Sequence, residues 1–452
     1  LRSNIIERLG KKNDVKDNIE NVNHKQSIRG WFAEKISLFG DIISDRKNWN
    51  RLNRADILYF DQQSYSVIQG EEVDPFFDFF SFEQKYSVQR CFYYNRGKIK
   101  DYMGRGVGTL YAEMKIIFLS RVSRFIPLFY SGGEDDFICR LWQKIDSRFG
   151  IDINLEQMLQ AVRNTLITHI VYRRYYRKLL RKIKPQVIFV VCHYNRLLWP
   201  LYQVSKEFRI PVIEIQHGLI NHHRAYNYVD TSIIGKELPD YLFSYGQLWH
   251  QWINLPDCMR AYPIGNPFLE SRGQFYAENF ADSKKIVIYS DRWETNGRIL
   301  EKLALDISNK YYDQGYRVYF KMHPGEYNNW IEKYVALKEN TQIMVVCNEI
   351  ELYQLLSMAK HQIGVFSTVL YETTVFDVNT YILATEEKYI PYVQVLIDFE
   401  LAYVIRDFNE FERIMLSGVT LQKEFAEQLW RRNAKQNAQD RLSKIIRKGE
   451  GK

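Results

Sequence analysis

Proline is scarce in this chain, at 11 of 452 residues, and the five cysteines are scattered with no Cys-x-x-Cys pair among them. That spacing argues against a disulfide framework and against zinc ribbons; it points to free thiols in a reducing compartment. No stretch approaches the roughly 20 uninterrupted apolar residues that a membrane span requires. The longest candidate, MKIIFLSRVSRFIPLFY, is interrupted by Arg121 and Arg124. The sequence opens on Leu with no signal-peptide pattern, so a cytoplasmic protein is expected. Nor is there a G-x-x-x-x-G-K-[ST] loop, and GRGVG at 104–108 does not follow a strand, which speaks against P-loop and dinucleotide-fingerprint proteins. A D-x-D sequence and a His/Cys cluster at metal spacing are missing as well. His222 and His223, being adjacent, cannot comfortably chelate one ion together. The expectation is chemistry that needs neither metal nor cofactor.

What is present suffices for large cores. Hydrophobic residues make up 46% of the chain and charged residues 26%, with 32 tyrosines and 27 phenylalanines. The net charge of +8 is uneven: RRYYRKLLRKIK at 173–184 holds seven positive charges and no negative one, and the C-terminal stretch is milder in the same sense. Such runs suit a solvated helix face, an anionic lipid surface or a phosphorylated substrate. Nucleic acid is not expected, since no DNA- or RNA-binding pattern accompanies the charge.

Four regions are expected: a partly helical N-terminal extension over 1–50, an α/β domain over 51–270, a second α/β domain over 271–420, and a C-terminal helix over 421–452 crossing back to the first. ADILYF, PQVIFVVCHY, IPVIEIQH and DYLFSYG read as strands of the first series, with a helix over IRGWFAEKISLFGDII before them and one or two long helices over 153–183 among them. KKIVIYSDR, YRVYFKMHP, TQIMVVC, HQIGVFS and TYILAT read as strands of the second, with YNNWIEKYVALKEN as one of its helices. Continuous apolar strands alternating with helices describe parallel sheets covered on both faces. Two successive series imply two doubly wound sheets facing a cleft, with ligands bound outside the carboxyl ends of the strands.

Polar side chains gather at those ends: Cys192-His193-Tyr194, His217, Ser290-Asp291-Arg292, His323 and Ser367-Thr368. In KMHPGE, Pro324 forces an extended exit on His323, which could offer one ring nitrogen to a phosphate while backbone holds the other; Lys321 falls on the same side of the strand. In GVFSTVLYE, Ser367 and Thr368 open a helix and supply hydroxyls beside free N–H groups, and Glu372 sits one turn further on, where a carboxylate can accept from ribose hydroxyls. Each feature also has a plainer use, as a cap or a solvated face.

The order QHG, then K-x-HP at a strand end, then FST-x-x-x-E opening a helix resembles bacterial GT-B glycosyltransferases of capsule and lipopolysaccharide synthesis, most closely the group using CMP-activated acidic sugars such as sialic acid or Kdo. The likeness spans residues 185–390. It implies a nucleotide site built from Lys321, His323, Pro324, Ser367, Thr368 and Glu372, with Ser290 and Asp291 beside it. IYSDRW is similar to a strand end of CDP-glycerol glycerophosphotransferases, with Asp291 and Arg292 in place of proline and threonine. The resemblance implies inverting transfer from a nucleotide-activated sugar to a saccharide acceptor, often lipid-linked in such pathways, at the inner face of the cytoplasmic membrane, where the basic run would contact anionic lipid.

Inverting transfer needs a base near the acceptor hydroxyl. Candidates are His217, before a glycine; His193; Glu214, a carboxylate in an apolar strand that demands a partner; and Asp74 and Asp78. His217 and His193 are preferred. The rival readings are phosphopolyol transfer, a non-catalytic nucleotide-binding partner of an assembly complex, and a sugar-nucleotide 2-epimerase, which should show more carboxylates at strand ends.

Overall fold

The structure, a computed structural model, describes residues 49–50, 52–61, 66–68, 71–92, 140, 143–144, 147–148, 155–220, 224–230, 232, 235, 237–276, 284–376, 378–418 and 425–450. Nearly all of the N-terminal extension, GRGVG and the His222-His223 pair lie outside these residues. The strands build two six-stranded sheets, and the class is α/β, GT-B-like, as the alternating pattern implies. Contacts divide the chain into two compact units, one of Leu1–Asp61, Gln89–Pro185 and Asn195–Phe208, the other of Gln62–Val88, Gln186–Tyr194 and Arg209–Lys452.

In the first unit, β1 (Ile57–Asp61) is fully buried. Helix α1 (Leu155–Ile183) packs Tyr172, Tyr176, Leu179, Leu180 and Ile183 inward at helical spacing, and Phe60 meets the edge of Tyr176. Its neighbour α2 (Trp199–Glu207) begins with Pro200 in its first turn, where a missing N–H costs nothing. Glu207 of α2 takes Arg173 and Arg177 of α1 at 2.6 and 2.7 Å. That leaves Arg174, Lys178 and Arg181, spaced four and three residues apart, as an exposed stripe of α1.

The second unit holds a hairpin, β2 (Ser66–Ile68) with β3 (Glu71–Val73); β4 (Val88–Phe92) follows at the boundary between the units. Next come four parallel neighbours, β5 (Val187–Val191), β6 (Val212–Ile215), β7 (Tyr241–Ser244) and β8 (Arg260–Pro263). After α3 (Pro267–Tyr276) comes the other complete sheet. Its strands are β9 (Lys285–Tyr289), β10 (Arg317–Lys321), β11 (Ile343–Val346), β12 (His361–Gly364), β13 (Asn379–Leu383) and β14 (Tyr403–Ile405). They pair in the order β11-β10-β9-β12-β13-β14, all parallel. Helices α4 (Glu294–Tyr311), α5 (Leu352–Met358), α6 (Thr368–Glu372), α7 (Ile390–Asp398) and α8 (Phe408–Ser417) join them, and α9 (Ala434–Glu450) closes the described chain.

Strand alternation sends Ile286 and Ile288 of β9 to one face of this sheet and Val287 and Tyr289 to the other. The second face joins Leu242, Trp249, Leu370, Tyr371 and Trp430 in one apolar cluster, so residues of both strand series share a core. The strand order is that of a doubly wound nucleotide-binding sheet, whose order reverses between β9 and β12; ligands of such sheets bind at that switch point.

Two expected helices are broken. YNNWIEKYVALKEN gives two short turns of helix, Trp330–Lys333 and Val335–Glu339, because Tyr334 between them turns in and donates to Glu326 at 3.0 Å. The C-terminal helix stops at Leu429 and restarts at Ala434. Between these ends Trp430 buries its indole, donating to Thr374 Oγ1 at 2.9 Å, and Asn433 takes a positive φ of 60°. The restarted α9 packs against the turn at Asp78–Phe80 and the exit of β8: Gln439 donates to the Phe80 carbonyl at 3.2 Å and Asn437 to the Ile264 carbonyl at 3.0 Å. Gly246 and Gly265 allow this. A Cβ on Gly246 would collide with the carbonyls of Gln428 and Leu429, and Gly265, at φ 108°, meets the Arg431 carbonyl.

Candidate functional site

Strand β6 exits into Gln216-His217-Gly218. Gln216 is fully buried and works as a staple: its amide donates to the Gly218 carbonyl at 2.9 Å and accepts from the Tyr245 N–H at 2.9 Å. The loop is thereby fixed, and His217 is left half-buried, its Nε2 3.1 Å from the Tyr194 hydroxyl and its ring against the edge of Phe76. A side-chain carbon placed on Gly218 would stand 3.9 Å from Thr368 Oγ1. The histidine loop of the earlier series thus meets the start of α6 at the switch point of the later sheet.

At that start Ser367 is extended and caps α6, accepting from the Val369 N–H at 3.4 Å. Glu372, at the end of α6, accepts from the Tyr353 hydroxyl at 3.0 Å. Burial pushes its carboxyl up to about 7, with the Tyr353 bond pulling the other way. Burial and the nearby Glu372 charge also raise the phenols of Tyr245 and Tyr289, and no hydrogen-bond partner meets the buried Tyr289 hydroxyl among the described residues.

The β10 exit carries His323. Its backbone N–H donates to Ser290 Oγ at 2.6 Å, and its Nδ1 accepts from the Gly325 N–H at 3.0 Å, which caps the turn Pro324–Glu326. A ring whose Nδ1 accepts carries its proton on Nε2 and presents it outward as a donor. Burial, then the neighbouring Arg292 cation, lowers the basicity of this imidazole, which favours the neutral form. Beneath the turn lies a network missing from the sequence reading. Glu326, buried, takes the Ser290 hydroxyl at 2.5 Å, the Tyr334 hydroxyl and the Lys333 ammonium. The only sequence trace of it is a carboxylate three residues after the histidine.

The candidate residues therefore differ in availability. Ser290 and Asp291 hold the loop: the former bridges Glu326 and His323, and the latter accepts from the Trp293 N–H at 3.0 Å and from Asn296 at 2.9 Å. Lys321 is buried, its ammonium turned to the Cys347 carbonyl and the Tyr327 hydroxyl, and burial lowers its pKa. His193 is 1% exposed. Its Nδ1 stands 2.8 Å from Glu214 Oε2 and its Nε2 3.1 Å from the Tyr228 hydroxyl. Glu214, fully buried, also takes the Tyr226 hydroxyl and the His193 N–H; burial would raise its pKa, but the His193 contacts outweigh that and hold it low. Asp74 accepts from the Phe76 N–H, and Asp78 from the Asp74 N–H, so both carboxylates shape their own turn. Of the candidates, the structure brings the His217 loop and Thr368 together, through Gly218, while His323 is exposed at the β10 exit and Glu372 is engaged by Tyr353. No group of three His, Cys, Asp or Glu side chains placed to hold a metal occurs among the described residues.

No family model and no curated protein matches the chain. Solved structures do. A Listeria monocytogenes protein described as a UDP-N-acetylglucosamine 2-epimerase aligns at 10% identity over 88% of this chain and 98% of its own, with a TM-score of 0.52. The wall teichoic acid polymerase TagF aligns at 13% identity over 93% of this chain and 99% of its own (TM-score 0.46), and Acinetobacter baumannii MurG at 10% over 86% and 99% (TM-score 0.44). At such identities the likeness is one of fold: the chain shares the two-sheet α/β architecture of the Listeria protein.

Proposed function

We propose that this chain is an inverting glycosyltransferase that takes a nucleotide-activated sugar, with a cytidine nucleotide favoured by the HP and FST motifs, and passes the sugar to a saccharide acceptor. The observation that carries this reading is the approach of Gly218 to Thr368, which sets His217 beside the nucleotide-type switch point between β9 and β12. His323 supplies an Nε2–H donor, the N-terminus of α6 supplies hydroxyls, and Glu372 supplies a carboxylate for ribose hydroxyls. His217 is the base: it takes the proton of the acceptor hydroxyl as that oxygen attacks the anomeric carbon, and the bond to phosphate breaks with its electrons left on the phosphate. Within this reading the negative charge is met by protein groups. The exposed stripe of α1, Arg174, Lys178 and Arg181, would hold the enzyme against anionic lipid carrying the acceptor.

Thermal unfolding with CMP, CDP, UDP, GDP and ADP tests the donor. A ligand at 100 times its dissociation constant stabilises by about 2.7 kcal/mol. A rise in Tm with cytidine nucleotides, lost in His323→Ala and kept in His217→Ala, is expected. A rise with UDP alone would replace the cytidine assignment and favour the epimerase chemistry of the structural neighbours; no rise with any of the five would end the transferase reading.

A further inference from the structure

The sequence motifs assign no role to Arg292, yet the fold prepares it more carefully than a loop arginine needs. Its backbone is locked: the Lys333 ammonium binds the carbonyls of Asp291 and Arg292 at 2.8 and 3.3 Å, and Lys333 is itself paired with buried Glu326. The Asp291 carboxylate fixes the next turn through Trp293 and Asn296. Arg292 is exposed, and no carboxylate pairs with it among the described residues. Its stem runs over Gly325, where a Cβ would stand 3.3 Å from Arg292 Cδ and 3.3 Å from His323 Nδ1. Arginine and histidine therefore flank one glycine, on a turn whose nearest carboxylates, Glu326 and Asp291, are already engaged. An exposed guanidinium on a fixed backbone, beside an Nε2–H donor, makes a pair of cationic and neutral donors suited to a diphosphate or a phosphate diester.

We infer that Arg292 and His323 jointly grip the phosphate chain of the donor nucleotide, and that Arg292 neutralises the charge left on the phosphate when the glycosidic bond breaks. The inference rests on the transferase reading and names the residue that does for this site what a metal does elsewhere. A Cβ at position 325 would press on both side chains at 3.3 Å, so a larger residue there requires one of them to shift.

The test is isothermal titration of inorganic pyrophosphate and of CDP into wild type, Arg292→Ala and Arg292→Lys, with thermal unfolding of each unliganded protein. Losing a charge-assisted, bidentate contact should weaken both ligands by about 10- to 100-fold in Arg292→Ala, with partial recovery in Arg292→Lys and an unchanged unliganded Tm. Pyrophosphate and CDP binding Arg292→Ala as tightly as wild type would overturn the inference and leave the transferase reading standing. Pyrophosphate binding that depends on Arg292, without any CDP binding, would keep the grip and remove the cytidine assignment. A fall in unliganded Tm that accounts for the lost affinity, or no binding of either ligand to wild type, would overturn it.

Discussion

Glu372 is a carboxyl group whose protonation changes near neutrality. Burial raises its pKa in the fold to about 7 from the ordinary carboxylate range, so the folded state holds the proton more tightly than the unfolded chain. The stability this contributes is complete below about pH 4.5 and is lost as pH rises through about 7. Wild-type Tm should therefore fall across pH 5 to 7.5 by more than that of Glu372→Gln, whose amide has nothing to ionise. Nucleotide affinity should move the opposite way: ribose hydroxyls donate to a carboxylate better than to a carboxylic acid, so binding tightens as pH rises through 7 in wild type and stays flat in the variant. Tm and titration series at four pH values check both; parallel Tm curves would show that Glu372 does not titrate in this window. At this scale the sequence was half legible. His323 and Ser367 announce themselves through proline and through a helix start. Gln216 and Glu326 do not, because their partners, Tyr245 and Lys333 among them, are set by packing rather than by spacing.

Strands buried on both faces were legible because their runs are continuously apolar, as in VIFVV and the IVIY of β9, and short, which suits a covered parallel strand. The helices that broke were those where one side chain deserted the helical face for a distant partner: Tyr334 for Glu326, Trp430 for Thr374. No periodicity records such a choice. The seam between the Gly246-Gly265 region and residues 428–434 is a place where backbone approaches backbone, and it gives a prediction for this scale. Gly265→Ala meets both an unfavourable φ of 108° and the Arg431 carbonyl. Such strain costs about 1–3 kcal/mol, and the clash adds to it. Denaturant unfolding should show that loss, while Gly418→Ala, at positive φ with nothing within 4 Å, reports the backbone cost alone.

For the molecule as a whole, charge is sorted by use. Glu207 consumes two cations of the basic run, so the stripe that remains, Arg174, Lys178 and Arg181, is smaller than the sequence suggests. Attraction to anionic lipid is worth about 1 kcal/mol for each basic residue near the surface. Reversing the three to Glu should cut sedimentation with phosphatidylserine-containing liposomes by more than tenfold at low salt and leave transfer to a soluble acceptor intact. Reversing Arg173 and Arg177 instead should lower Tm, since Glu207 would then face like charges. No described helix is long and apolar enough to cross a membrane.

The C-terminal helix gives the protein a timing constraint. Gln439 reaches Phe80 and Lys85, partners made some 350 residues earlier. While the chain is being synthesised, Phe80 and Lys85 are made long before the α9 side chain that meets them. At about 5–20 residues per second this interval lasts tens of seconds. Throughout it Phe80 and Lys85 wait for Gln439, so the contacts between residues 80–85 and α9 close only after both strand series have been made.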